Sequence, residues 1–450
     1  MRKRKRRKKI WYLYPLMFVT ITVIVWVYKL WLVFIIPLCA GAWYSVRQIR
    51  NCLKIERENE KRYHEVTTYL EQLLCSYRRL GHAGKALEDC STIFENGTEM
   101  KKALEQALHI LLTGEGVTDG MILEKAFGGM EQIFNSRRMQ IVHRFICHVE
   151  RTGGECSHAV DILLEDLELW RNRTKLYQNK KRFIRLECGI ATGLAVVLCY
   201  VSRLLTPGEL GFHISDSTVY QVSTVVVLML LFYLVSCIYR KLSGNWLDEK
   251  RGQDEKERQR MERLYGIVSG EAQFDIRDRG KKPSLLSRHM AKKLVGTYVK
   301  NEFPYWLLLV TLYLQTESSY QALRYSMERT GGIFRKELEK LTEAIYDSPR
   351  DLEPYLDFFR GLELPEVQTG MKILYSVHAN GYEDSRRQLD FLVSQNNRLM
   401  DKSERYADAN KMAGMSLLKQ LPMVVSCLKL LIDLINLLAL TMGSFQAVSM

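Results

Sequence analysis

Apolar positions along this chain gather into long blocks separated by strongly charged stretches. Val219 to Tyr239 runs its whole length without a charge. At about 1.5 Å rise per residue, a helix of that length crosses a hydrocarbon core of about 30 Å. Gly189 to Leu205 is a second such block, with Arg203 near one end, where its head can snorkel to the interface. Ile10 to Tyr44 is apolar apart from Lys29. As one helix it would measure about 52 Å, too long for an untilted span, so the pattern predicts a membrane hairpin turning near Lys29. The last block, about Met415 to Phe445, carries Lys419, Lys429 and Asp433 and is read as a fifth span.

Two polar blocks lie between these segments, and both carry helical periodicity. In Gln140 to Val149 the apolar residues Ile141, Val142, Phe145, Ile146 and Val149 fall on one face of a 3.6-residue period. Thr152-Gly153-Gly154 stops that helix, and Val160, Leu163, Leu164 and Leu167 form the next stripe. An antiparallel helix pair is expected. The second block repeats the pattern at a constant offset: Gln140 matches Gln368, Gly153 matches Gly381, Glu155 matches Glu383 and Leu164 matches Leu392. Met100-Lys-Lys-Ala-Leu-Glu resembles Phe334-Arg-Lys-Glu-Leu-Glu at a slightly longer offset. The unit that repeats is a helical domain followed by a membrane helix, with Gly153 and Gly381 as its turn glycines.

The expected organisation is therefore a basic tail and membrane hairpin (1–45), a first helical domain (46–186), a transmembrane hairpin (187–240), a second helical domain (241–412) and a terminal membrane helix with tail (413–450). The fold class is all-α: a multi-pass membrane protein with two duplicated cytoplasmic helical bundles and about five transmembrane helices. Ser348-Pro349 reads as a helix start, with serine at the N-cap and proline at the first helical position. Asp248 to Arg263 holds twelve charges, six of each sign, and reads as a solvated helix continuing from the 219–239 span. Gly280 to Ser284 reads as a linker.

Charge sets the orientation. The chain has 65 Lys and Arg against 51 Asp and Glu, a net +14, and eight of the positives form one run from Arg2 to Lys9. An apolar stretch follows at once, so the run is assigned to membrane orientation rather than to nucleic-acid binding. The 206–218 connector has Glu209 and Asp216 but no Lys or Arg, whereas Lys180, Lys181, Arg182, Arg185, Arg240 and Lys241 flank the two spans it joins. The positive-inside rule then puts the connector outside and both polar blocks in the cytoplasm. The ten cysteines include no C-x-x-C pair and suit reduced thiols rather than a disulfide framework.

The plan of cytoplasmic helical domain, two membrane helices, a similar domain and a final membrane helix resembles the type II secretion F family, the inner-membrane platform proteins of secretion systems and type IV pili, including tight-adherence (Tad) pili. The segments that resemble it are Tyr69–Leu87, Thr98–Leu112, Gln140–Leu169, Leu308–Leu323, Gly332–Ile345 and Val367–Val393. The resemblance implies a bacterial plasma-membrane location and a non-enzymatic role. It also implies as partners a secretion ATPase, pilin-like or prepilin subunits, a paralogous platform protein and lipid, in a homo- or hetero-oligomer. Rival readings are a transporter or channel, and a membrane signalling protein.

Catalytic signatures are missing from the sequence. Gly114 to Gly120 is glycine-rich but lacks the Lys-Ser/Thr of a phosphate loop, and neither H-E-x-x-H nor G-x-S-x-G occurs. No cofactor is expected. His143, Cys147, His148, Cys156 and His158 form a dense group, but His143 and Cys147 lie opposite the apolar face, so they are read as surface residues rather than metal ligands. Lys429 and Asp433 stand one helical turn apart inside a membrane block. Either they face a protein interface in the membrane, with another protomer or an exported subunit, or Lys429 snorkels at the cytoplasmic edge.

Overall fold

The computed structural model describes residues 13–114, 119–204, 214–243, 255–270, 285–328, 330–379 and 382–448. Every regular element among them is helical. In chain order these are α1 (Leu13–Tyr28), α2 (Leu32–Leu80), α3 (Ala83–Ile93), α4 (Glu99–Thr113), α5 (Asp119–Phe134), α6 (Arg137–Thr152), α7 (Ser157–Leu204) and α8 (Thr218–Leu242). They continue as α9 (Glu255–Ser269), α10 (Leu285–Tyr313), α11 (Ser319–Glu328), α12 (Ile333–Asp347), α13 (Glu353–Asp357), α14 (Pro365–Ala379) and α15 (Tyr382–Val448). The Gly280–Ser284 linker and Gly381 lie outside the described residues.

The chain divides into two units, one of residues 1–61, 173–246 and 408–450 and the other of 62–172 and 247–407. Residues 62–172 of the first polar block and 247–407 of the second thus fall in one compact unit. Ion pairs and aromatic contacts described below link the two stretches.

The first unit holds four helical stretches long and apolar enough to cross a membrane, within α2, α7, α8 and α15. The fifth apolar helix, α1, has 16 residues, about 24 Å, and falls short of a full span. Between α1 and α2 the chain reverses at Lys29, which adopts φ +47. That left-handed value is uncommon for a residue with a side chain. Buried Gln221 on α8 holds the turn: its Nε2–H donates to Lys29 O at 3.0 Å, and its Oε1 accepts from Trp31 N–H at 3.2 Å. The reversal at Lys29 expected from helix length is therefore present. Trp31 meets Gln221 and the Ser45 hydroxyl meets Phe232 O, so α2 and α8 run parallel. Tyr28 Oη–H donates to Val196 O at 2.5 Å, Arg185 pairs with Glu56, and Lys419 pairs with Glu187. With the Cys199 side chain meeting Ser426 on α15, these contacts put α7 antiparallel to α2 and parallel to α15. Chain direction thus alternates along the five helices. Val197, Val226, Leu431 and Ile435 are exposed on the outside of this unit, as lipid-facing positions would be.

In the second unit, α6 is the central helix. From Arg138 to Val149 only Arg144 and Cys147 escape full burial. Its start is capped by Ser136, whose hydroxyl accepts from Met139 N–H, and its end by Gly153 at φ +76, whose N–H donates to Val149 O at 2.7 Å. α7 then packs back, as the two apolar stripes predicted. In the second half, Trp306 on α10 stacks among Phe303, Phe334 and Phe358, and its indole N–H donates to Ser326. Gly370 on α14 lets α10 come close, for a Cβ there would lie 2.8 Å from the Phe303 ring.

Helix positions recur between the halves. The offset from α4 to α12 is the same at both ends (99 to 333, 113 to 347), and α6 and α14 start at the matched positions 137 and 365. α7 follows α6, as α15 follows α14.

Two expectations about helix ends differ from the structure. Ser348 closes α12, donating its N–H to Ala344 O, and the next helix starts only at Glu353. Asp351 N–H returns to Ser348 O, so Ser-Pro forms a turn with proline at its second position rather than a helix start. The charged stretch from 248 is described only from residue 255. There α9 buries Met261 and Val268 in the core, so it is amphipathic rather than solvated all round.

Candidate functional site

Ionisable groups out of water carry the information about function, and each unit contains one such centre. In the first unit Lys429 Nζ meets Asp433 Oδ2 at 2.5 Å, with side-chain exposures of 0% and 1%. One helical turn separates them on α15, so the helix itself sets the pairing. The ammonium also lies 4.3 Å from the Tyr220 ring centroid, on the first turn of α8. Fully buried Cys199 and Ser426 complete the apolar surround, and the Ser426 hydroxyl is spent on Pro422 O. Asp433 Oδ1 is buried with no hydrogen-bond partner among the described residues.

Within this chain Lys429 is fully buried rather than extended to an edge, and Asp433 is buried beside it. The pair points into the bundle formed by its own chain, because α15 turns this face toward α7 and α8. The polar residues cluster on that face while Leu431 and Ile435 cover the opposite one.

In the second unit Arg138 is 3% exposed. Its Nε–H donates to Asp166 Oδ2 and its Nη2–H to Glu404 Oε1, each at 2.9 Å. Tyr305 Oη–H donates to the same Glu404 oxygen at 2.9 Å, and the guanidinium stacks 4.9 Å from Trp170. Beside it Arg137 makes a two-point pair with Glu302 and lies 3.8 Å over Tyr305. These links join residues of the first polar block to 302, 305 and 404 of the second. Sequence reasoning missed them, although a signal existed: two arginines in the first turn of a helix oppose its dipole and call for nearby carboxylates.

The His/Cys group is rearranged from its expected surface position. His143 and His148 are buried. His143 stacks on Phe127 at 4.0 Å, its Nδ1–H donates to Glu131 Oε1 at 3.1 Å, and its Nε2 accepts from Tyr69 Oη–H at 2.9 Å. Burial holds the imidazole below its usual value, against the opposing pull of the Glu131 hydrogen bond. His148 turns instead to Glu317 at 3.2 Å and to Tyr313 and Tyr325, and His158 to Asp390. The helical wheel misled because α6 is packed on nearly all sides, so even its polar face is inside. No group of three or more His, Cys, Asp or Glu positioned to hold a metal occurs among the described residues.

Of the two turn glycines, Gly153 stands at the end of α6 in a positive-φ conformation that favours glycine.

Comparisons with protein-family models, with curated proteins and with solved structures give no match.

Proposed function

We propose that this chain is an inner-membrane platform protein of the type II secretion F kind, acting in a type IV or Tad-like pilus or in a secretion machine. The observation that carries the reading is the recurrence of helices. A bundle ending in an α6-like helix, followed by a long helix that continues into the apolar unit, occurs once at α6–α7 and again at α14–α15. That recurrence supports a duplicated unit of cytoplasmic bundle plus membrane helix, the plan the sequence resembles. In this role the polar unit engages a cytoplasmic secretion ATPase, and the apolar unit guides pilin-like subunits out of the bilayer. Energy comes from the ATPase, whose nucleotide states must differ in their affinity for the platform to move it. A paralogous platform chain is a further candidate partner.

The basic residues support the orientation. Arg47, Arg50, Lys54, Arg185, Arg240 and Lys241 lie toward one end of the helices, whereas the described residues at the Lys29 end contribute only Lys29 and Arg203. The positive-inside rule assigns the first end to the cytoplasm. With exposed native cysteines replaced, Thr218→Cys should react with an impermeant thiol reagent in spheroplasts, and Lys102→Cys should not. The reverse pattern refutes the orientation.

The decisive functional test is deletion of the gene in its host. Surface filaments or exported pilin-like subunits should disappear while ATPase and prepilin levels persist, and the purified protein should capture the ATPase without hydrolysing ATP itself. Normal filaments and export in the deletion strain refute the proposal. Ion translocation is the second reading, favoured by the buried Lys429–Asp433 pair. Proton flux in reconstituted vesicles, lost in Asp433→Asn, would support it over the platform role.

A further inference from the structure

Counting about 30 Å of hydrocarbon from the reversal at Lys29 puts the far boundary about twenty residues on, between Arg47 and Arg50 of α2. These two arginines stand about one helical turn apart, and each guanidinium lies over an aromatic ring. Arg47 is 5.4 Å from the Trp43 centroid, and Arg50 is 5.5 Å from that of Tyr14 on α1. Trp43 is exposed, and so is Ile36, about two turns deeper on the same face. One face of α2 therefore runs from apolar surface through an aromatic ring to two stacked guanidiniums.

Carboxylates around these arginines are either absent or engaged. From Met1 to Ile55 the sequence contains no Asp or Glu, so α1, which brings Tyr14 to Arg50, has no acid to offer. Further along α2, Glu56 pairs with Arg185, and Glu58 lies 3.9 Å from Lys54. Glu60 stands about 15 Å along the helix from Arg50. On the other helices of the unit, α8 has no Asp or Glu, Glu187 of α7 pairs with Lys419, and Asp408 of α15 has a partner of its own. Asp433 is spent on Lys429. Neither Arg47 nor Arg50 has an ion-pair partner among the described residues. Stacking on a ring holds a guanidinium in place and leaves its N–H donors for a phosphate oxyanion.

We propose that the exposed face of α2 at Trp43, Arg47 and Arg50 binds an anionic phospholipid, with its phosphate between the two guanidiniums and an acyl chain along Trp43 and Ile36. The proposal rests on the apolar unit lying in a bilayer and not on the secretion reading. Basic residues beside any membrane helix attract anionic lipid diffusely. Here two ring-held arginines at the depth of the phosphates, with apolar surface directly beneath them, select one position for it.

The test is native mass spectrometry of the full-length protein in detergent micelles, titrated with phosphatidylglycerol and, separately, with phosphatidylethanolamine of the same acyl chains. The wild type should bind phosphatidylglycerol about tenfold or more tightly, and the double variant Arg47→Gln/Arg50→Gln should lose that preference. Arg240→Gln, at the same end of the unit but on α8, should keep it. Equal affinity for both lipids in the wild type, a preference that survives the double substitution, or an equal loss in Arg240→Gln overturns the proposal. Displacement of phosphatidylglycerol by equimolar glycerol 1-phosphate also overturns it, since the site would then hold phosphate without the chains. Phosphatidylglycerol should raise the Tm of the wild type and not that of the double variant. The two should unfold alike in phosphatidylethanolamine, which separates loss of the site from loss of the fold. Release of the protein from membranes by alkaline carbonate would overturn the bilayer reading and the proposal with it, whereas retention without a lipid preference overturns the proposal alone.

Discussion

Replacing Lys429 with Met removes one half of an ion pair that has no access to water. Met keeps the unbranched stem and its packing on Tyr220, so the chief loss is the charge. Asp433 is then left 1% exposed, with Oδ2 deprived of its donor and Oδ1 already lacking one among the described residues. Breaking a buried pair by removing one partner costs about 3–5 kcal/mol. The lower end, about 3 kcal/mol, is the figure to expect here, because a chain unfolded within lipid or detergent also finds partners for a stranded polar group. Asp433→Leu should cost a similar amount by stranding the ammonium. The double variant Lys429→Met/Asp433→Leu removes both desolvation penalties together, and hydrophobic replacement of a whole buried pair is often neutral or stabilising. It should unfold within about 1 kcal/mol of wild type. Unfolding of the three variants and the wild type in mixed micelles of increasing SDS gives the cycle directly. Singles near wild-type stability would mean that water or lipid headgroups reach the pair. A double variant as unstable as both singles combined would mean that the two residues act through separate neighbours. Either result refutes a self-contained pair.

Arg138→Met should destabilise the polar unit by about 3–5 kcal/mol, because it leaves Asp166 and Glu404 facing one another without a cation; chemical denaturation followed by circular dichroism measures this. Gln221→Leu removes two hydrogen bonds from the Lys29 turn and strands Lys29 O and Trp31 N–H, which should cost about 1–3 kcal/mol and speed proteolysis between α1 and α2. Gly370→Ala places a methyl 2.8 Å from the Phe303 ring and should cost about 1–3 kcal/mol by forcing α10 and α14 apart, read as a lower Tm. His143 has a depressed folded pKa, so the unfolded chain binds the extra proton first. Its contribution is fully present above the ordinary histidine value of about 6.5 and is lost as pH falls below it toward the folded value. The stability difference between wild type and His143→Gln should therefore shrink below about pH 6.5, and a difference that grows on acidification would contradict the buried neutral imidazole.

Much of the architecture is written in local pattern. Uncharged runs long enough to cross lipid identify the apolar helices, because backbone groups there have no other way to be satisfied. The excess length of Ile10–Tyr44 demands a reversal, and the one charged residue within it, Lys29, marks the place. The recurring sequence pattern matches the helix positions of α4 with α12 and the starts of α6 and α14, and glycine at 153 stands at its helix end in a positive-φ conformation. These features depend on neighbours a few residues away, so the chain determines them before it folds. Which surface a helix meets is a different matter. The i,i+4 spacing pairs Lys429 with Asp433, but only the packing of α15 against its neighbours decides that the ammonium lies over the Tyr220 ring. His143 looks solvent-facing by periodicity and is buried because Phe127 and Glu131 of α5 and Tyr69 of α2 cover that side of α6. Arg137 and Arg138 reach Glu302 and Glu404, far along the chain. A buried charge must find its counter-charge somewhere in space, and the sequence states the need without stating the partner.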